Sequence, residues 1–214
     1  MRTVVINSQK GGSGKTMLAK HLSIEAERSG DGPVYLIDSD PQGSLSAWHA
    51  KREAEAPALV DLPFDGMARG LALLRGRGAT YCLIDTASGR LDIAADLFKF
   101  ADLALFPVQA SEDDLTAAPT TVRNLKLAGT PFLFVLTRVK ANTLITAQAA
   151  AILSKHGQVA ETFVVDRTGY RSPYAKGQTV TEAEPRGPAA HEIAALWANI
   201  KSCMHENMKG AHHG

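Results

Sequence analysis

Seven consecutive residues, Lys10-Gly11-Gly12-Ser13-Gly14-Lys15-Thr16, constrain this 214-residue chain more than any other part of it. Before them lies a short β-branched run, residues 3–7. After them comes a segment with helical spacing, carrying Leu18, Leu22 and Ala26. A strand, a bare loop and a helix start make a cradle for an anion, because the first backbone N–H groups of a helix lack partners and carry the positive end of its dipole. Gly11, Gly12 and Gly14 let the backbone close around a phosphate that side chains would hold off. Lys15 is then placed to reach the β and γ phosphates of a nucleotide, and the Thr16 hydroxyl to ligate Mg²⁺. The alternative, a glycine-rich turn with an incidental Lys-Thr, gives no reason for the strand and helix on either side.

The rest of the chain repeats this alternation. Apolar runs at residues 34–37, 81–84, 103–108, 132–136 and 162–165 read as strands buried on both faces. Helical spacing returns near the end with Ile193, Leu196, Trp197, Ile200 and Met204. Ser111-Glu112-Asp113-Asp114 has the spacing of a capping box and marks a helix start. The expectation is an α/β fold, a doubly wound, mostly parallel sheet with helices on both faces. One domain should span residues 1–208, with 209–214 a frayed tail whose His212 and His213 are solvated rather than metal-binding. Residues 50–78 resist assignment, apart from a candidate helix over 67–74. Composition agrees with a folded soluble chain, 45% hydrophobic and 21% charged. Only Cys82 and Cys203 could pair, and their separation favours a reducing cytosol over a disulfide framework or a metal site. No stretch approaches the length of a membrane span, and the N-terminal apolar run is too short for a signal peptide.

Carboxylates stand where a phosphate site needs them. Leu36-Ile37-Asp38-Ser39-Asp40-Pro41-Gln42-Gly43 ends the second strand, and alternation puts Asp38 and Asp40 on the same side. Tyr81-Cys82-Leu83-Ile84-Asp85 is an apolar strand closed by an aspartate, the Walker B pattern.

The loop departs from G-x-x-x-x-G-K-[ST] in one way: Gln9 stands where the pattern has glycine, and Lys10 precedes the glycine pair. In this it resembles the deviant Walker A motif of the ParA and MinD group of P-loop ATPases. The resemblance runs on through Asp38 to Gly43, Ala101-Asp102-Leu103, Pro107-Val108, Val135-Leu136-Thr137-Arg138 and the segment from Asp166-Arg167 to Gly177-Gln178-Thr179-Val180. Only residues 50–78 are unmatched. It implies ATP as substrate with Mg²⁺, and a phosphate cradle made of Lys10, Gly11, Gly12, Ser13, Gly14, Lys15, Thr16 and the backbone of Met17. It also implies that Lys10 crosses a dimer interface to the nucleotide of the other subunit, making dimerisation depend on ATP. By the same resemblance Asp40 positions the attacking water, Asp38 supports the magnesium shell, Asp85 holds Mg²⁺ through a water, and Arg138 lies near the adenine. Two departures stand out: Met17 replaces a second hydroxyl that helps hold the α phosphate, and Thr86-Ala87-Ser88-Gly89 replaces a pair of prolines in the loop that senses the γ phosphate.

The resemblance further implies a small ParA type, since the sequence starts at its first strand. Such proteins bind DNA without sequence preference as ATP dimers and are stimulated by a ParB-like centromere-binding or cargo adaptor partner. They work in the cytoplasm at the nucleoid, and the cargo is a plasmid, a chromosomal origin, a chemoreceptor cluster or a carboxysome. Residues 1–119 hold 12 Lys and Arg against 16 Asp and Glu, whereas residues 120–214 hold 11 against 6, so a basic C-terminal part agrees with DNA contact. Arg167, Arg171, Lys176 and Lys201 are the candidates, with ordinary solvated charges as the competing reading. Two rivals remain. A MinD-like membrane positioner needs a basic amphipathic terminal helix, and the tail is only weakly basic. A small-molecule enzyme of the dethiobiotin synthetase type would leave Lys10 and the Asp38–Gly43 run unexplained. Iron–sulfur carriers are excluded by the lack of paired cysteines.

Overall fold

The computed structural model describes all residues except 90, 142, 173–174 and 212–214, so His212 and His213 lie outside the described residues. Seven strands, β1 (Arg2–Ile6), β2 (Val34–Ser39), β3 (Ala58–Leu59), β4 (Tyr81–Thr86), β5 (Leu103–Val108), β6 (Phe132–Val139) and β7 (Val164–Val165), form one sheet in the order β3-β2-β4-β1-β5-β6-β7. Every pairing among the described strands is parallel, as the expected doubly wound sheet requires. The crossovers carry α1 (Lys15–Arg28), α2 (Ser44–His49), α3 (Met67–Gly76), α4 (Leu91–Phe98), α5 (Glu112–Ala128) and α6 (Leu144–Ser154), and α7 (Val180–Ala183) and α8 (Pro188–Ala211) follow β7. No described helix is long and apolar enough to cross a membrane.

Alternation along the strands divides the core in two. Val4, Ile6, Leu36, Leu83 and Leu105 face Leu18 and Leu22 of α1 and Ile193, Leu196 and Trp197 of α8. Val5, Ile37, Ile84 and Phe106 face Leu71 and Leu74 of α3, Leu97 of α4, Leu125 of α5 and Leu153 of α6. A parallel sheet covered on both faces explains why the strand runs read as uninterrupted apolar segments: β4 and β5 are buried at every position.

Residues 50–78 resolve into the two-residue edge strand β3 and helix α3, whose start and apolar face match the candidate at 67–74. Ser111 caps α5, its hydroxyl accepting from the Asp114 N–H at 3.3 Å, but Asp114 does not return the bond to the cap. Its carboxylate accepts instead from the Gln109 N–H at 2.9 Å and ties the helix start to the end of β5.

What matters for function is the register. Ile6 of β1 and Asp38 of β2 both stand beside Asp85 of β4, so three chain segments end together at the carboxyl edge of the sheet. The winding direction reverses around β1, and open α/β sheets bind ligands at such a reversal.

Candidate nucleotide site

The loop between β1 and α1 is built around glycine at two positions. Gly12 and Gly14 have φ of 76° and 109°, and a Cβ on Gly14 would lie 3.3 Å from the Met17 methyl and 3.6 Å from Thr137 Cγ2. Side chains from neighbouring strand ends hold this backbone. Thr137 at the end of β6 donates to the Ser13 carbonyl at 2.6 Å, and Gln109 after β5 donates to the Gly12 carbonyl at 3.1 Å. Gln9, the residue that breaks the standard pattern, reaches the other way to Thr121 Oγ1 of α5 at 2.7 Å. Ser8 takes a bond from Ser13 Oγ at 2.6 Å and gives one to the Lys10 carbonyl at 2.8 Å. Sequence reasoning missed Ser8, Gln109 and the anchoring role of Gln9; their shared signal is a polar residue just past an apolar strand.

Lys15 opens α1 and is only 6% exposed. Its ammonium contacts the Ser88 hydroxyl and lies 3.4 Å from Ser8 Oγ, so among the described residues a buried cation is met by neutral hydroxyls and by no carboxylate. Burial lowers its pKa against the opposing pull of Asp85 and Asp40. Ser88 belongs to the segment that stands in place of the proline pair, and this departure thus supplies a direct partner to the lysine.

Thr16 Oγ1 donates to Asp85 Oδ2 at 2.6 Å. Asp85 is fully buried, and burial is the main cause that pushes its pKa up to about 6. Its other oxygen, Oδ1, is buried with no partner among the described residues, as is the amide oxygen of Asn7 next to it at the end of β1. An orphaned carboxylate oxygen beside a threonine hydroxyl and a lysine fits a hard, oxygen-seeking cation such as Mg²⁺. Asp38 spends Oδ2 on the N–H and hydroxyl of Ser46 at 2.8 and 2.9 Å, so α2 hangs from the end of β2. Asp40 accepts one bond, from the Gln42 N–H at 3.0 Å.

The expected site residues do not all converge. Lys15, Thr16, Asp38, Asp40 and Asp85 gather at the strand ends. Met17 and Arg138 line a neighbouring cleft of about 360 Å³ with Gly14, Val165, Asp166 and Tyr170. Arg138 has a left-handed φ of 52°, where β6 shifts register, and this turns its exposed guanidinium toward Gly12. Lys10 stands apart. Its side chain is 43% exposed and its ammonium is bound to Asp113 at 2.8 Å and Asp114 at 3.5 Å, on the first turn of α5. The hydrogen bond it donates to Asp113 is the leading cause that raises its pKa.

The four C-terminal cations are all paired. Arg167 holds Glu192 through two bonds of 2.8 and 2.6 Å, Arg171 contacts Asp166, Lys176 holds Glu53 at 2.8 Å, and Lys201 holds Asp31 at 2.7 Å. Two of these carboxylates come from the acidic N-terminal part, so the charge asymmetry of the sequence partly cancels in space. In residues 120–211 the exposed cations Arg123, Lys126, Arg138, Lys140, Lys155 and Arg186 have no carboxylate partner among the described residues.

Comparison with known proteins agrees with this geometry. Residues 4–180 match the CobQ/CobB/MinD/ParA nucleotide binding domain. The maintenance of carboxysome distribution protein A of Gloeobacter kilaueensis is 32% identical over 198 residues, covering 91% of this chain and 81% of that protein. Its namesake from Halothiobacillus neapolitanus is 28% identical over 201 residues, with coverage of 89% and 92%. The MinD cell division protein of Aquifex aeolicus superposes with a TM-score of 0.78 at 18% identity, covering 94% of this chain and 98% of that one.

Proposed function

The chain belongs to the CobQ/CobB/MinD/ParA nucleotide-binding family, and from that premise we propose that it is a Mg²⁺-dependent ATPase that dimerises on ATP, binds DNA and positions a large cargo. The observation that carries the ATPase reading is the meeting of Lys15, Thr16 and Asp85 at one point, with Asp85 Oδ1 left without a partner. Gly11 to Gly14 and the N–H groups of α1 hold the phosphates. Lys15 exchanges Ser88 and Ser8 for the β and γ phosphate oxygens. Thr16 and Asp85 hold the metal, with Asp38 supporting its shell; when bound, Mg²⁺ neutralises charge on the phosphates. Asp40, whose carboxylate makes a single hydrogen bond, orients the water in line with the γ phosphate. Met17 contributes its N–H to the α phosphate, and Arg138 covers the base.

The dimer rests on Lys10. Its exposed position on the loop, held only by the rim of α5, supports a side chain that leaves Asp113 and reaches the nucleotide of a second subunit. The DNA-bound dimer would sit at the nucleoid in the cytoplasm, with a ParB-like adaptor stimulating hydrolysis. The names of the relatives favour a carboxysome-like body over a plasmid as the cargo. Because the four expected cations are occupied, DNA contact is better carried by the unpaired set that includes Lys126, Lys140 and Lys155, and such binding weakens with added salt.

Sedimentation of an Asp40→Ala variant with MgATP, with and without duplex DNA, tests the scheme. A dimer that travels with DNA at low salt is expected. A monomer indifferent to DNA overturns it. Lys10→Ala should bind ATP and stay monomeric.

A further inference from the structure

Five buried polar side-chain atoms lack a partner among the described residues: Asn7 Oδ1, His21 Nδ1, Arg52 Nε, Asp85 Oδ1 and Thr181 Oγ1. Asn7 Oδ1 and Asp85 Oδ1 belong to the nucleotide site. His21 Nδ1 belongs to a different place, a cleft of about 1300 Å³ between α1, α2 and residues 169–172 and 177–179. A buried polar group left unpaired costs about 1–3 kcal/mol, so one that lines a cleft points to a missing ligand. His21 lines this cleft, is 4% exposed and makes no hydrogen bond to the described residues.

The charges around the cleft say what kind of ligand it is. Lys20 and Lys51 both line it and neither has an ion-pair partner among the described residues; Lys20 feels the repulsion of Lys51 and the longer-range pull of Asp85 and Asp38. Lys20 lies 5.7 Å from the Trp48 ring, and Arg52, already committed to Glu182 and to the Gly177 carbonyl, lies 5.1 Å from it. Arg171 at the rim is neutralised by Asp166. Two ammonium groups lining one space, neither closed by an ion pair among the described residues, favour an anion between them. Among the described residues the aromatic rings of the lining are already engaged: Trp48 is buried with cations against its ring, and Tyr170 meets the His21 ring edge-on. The remaining lining, Gly169, Ser172, Gln178 and Ser44, is backbone, hydroxyl and amide, which suits an extended peptide.

We propose that this cleft docks an acidic segment of a partner protein, with a carboxylate between Lys20 and Lys51 and a backbone group of the segment completing His21. The site is separate from the phosphate loop but mechanically close to it. Its α2 wall is the helix suspended from Asp38 by Ser46, so an occupant presses on the element that holds a carboxylate of the nucleotide site.

Trp48 reports on the cleft, and replacing the other tryptophan by Trp197→Phe leaves its fluorescence alone to read. The probe is a hexaglutamate peptide, titrated at constant ionic strength beside inorganic phosphate. Saturable quenching or enhancement by the peptide is expected, weakened at least tenfold in Lys51→Glu and in Lys20→Met, with MgATP binding unchanged in Lys51→Glu. Equal peptide binding in Lys51→Glu overturns the proposal, as does the absence of a saturable signal. Phosphate acting as well as the peptide also overturns it, in favour of a small-ion pocket. Lys51 is exposed, so its variant stays informative even if Lys20→Met fails to fold. Loss of MgATP binding in the parent would instead break the nucleotide reading and leave this one standing.

Discussion

The crevice at the strand ends and the basic segment from Arg167 to Lys201 looked alike in sequence, each a set of charged residues awaiting a phosphate. In the fold they differ in kind. Lys15 is buried against hydroxyls and Asp85 keeps an oxygen open, whereas Arg167, Arg171, Lys176 and Lys201 each close on a carboxylate. The first region is strained toward a ligand and the second is satisfied without one. Formal charge is therefore a poor guide to a binding face, and unmet burial a good one.

Substitutions can break this contrast. Lys15→Ala should weaken MgATP binding by ~10³-fold, the loss of about two charge-assisted bonds to phosphate, while leaving the thermal midpoint of the nucleotide-free protein unchanged or raised. Calorimetric titration with parallel thermal melts reads both, and a large drop in the nucleotide-free midpoint would place Lys15 among the structural cations. Another unmet group, His21, should show itself in acid. Burial first, and Lys20 second, lower its pKa from 6.5 to about 3. The unfolded chain then binds the proton more readily, so stability is fully present above pH 6.5 and is lost at about 1.4 kcal/mol per pH unit as pH falls toward 3. His21→Leu should flatten that slope in urea unfolding measured across the window; an unaltered slope would show that the imidazole is not sealed.

In the closed region the expectation reverses. Glu192→Ala strips both Arg167 and the Tyr170 hydroxyl of a partner and should cost about 2 kcal/mol of stability, with MgATP affinity kept within a few-fold. Denaturant midpoints against affinity separate the two. Ser88→Ala should be the smallest change, a few-fold at most in hydrolysis rate, since Lys15 retains Ser8 and gains phosphate in the working state.

How much of this was readable beforehand follows the range of the interactions. The loop, the strand-end aspartates and the helix starting at Met67 rest on local pattern, in which glycines, apolar alternation and 3.6-residue spacing all act within a few residues. The family and the doubly wound sheet followed from them. β3 was invisible because two residues paired at a sheet edge leave no periodicity. The fate of the C-terminal cations was invisible for another reason: Lys176 and Lys201 find partners 123 and 170 positions away, and no composition count can foresee that. Ser88 against Lys15 is the same case at 73 positions. The capping spacing at Ser111 was right about the helix start and half right about the bonds, because Asp114 had a better donor in Gln109.

Lys10 gives the proposed assembly an unusual response to its surroundings. Resting on Asp113 and Asp114, it is a charge already engaged, so joining a second subunit means exchanging one anion for another rather than gaining a first. Added salt loosens that resting contact as surely as it loosens DNA. The two steps then differ in degree: salt weakens the resting contact and the contact with the second nucleotide alike, so pairing changes little, while it sheds the proposed dimer from the duplex. Asp113→Asn removes one of the two resting anions, and the proposed pairing should then begin at lower ATP while the salt at which DNA is released stays where it was.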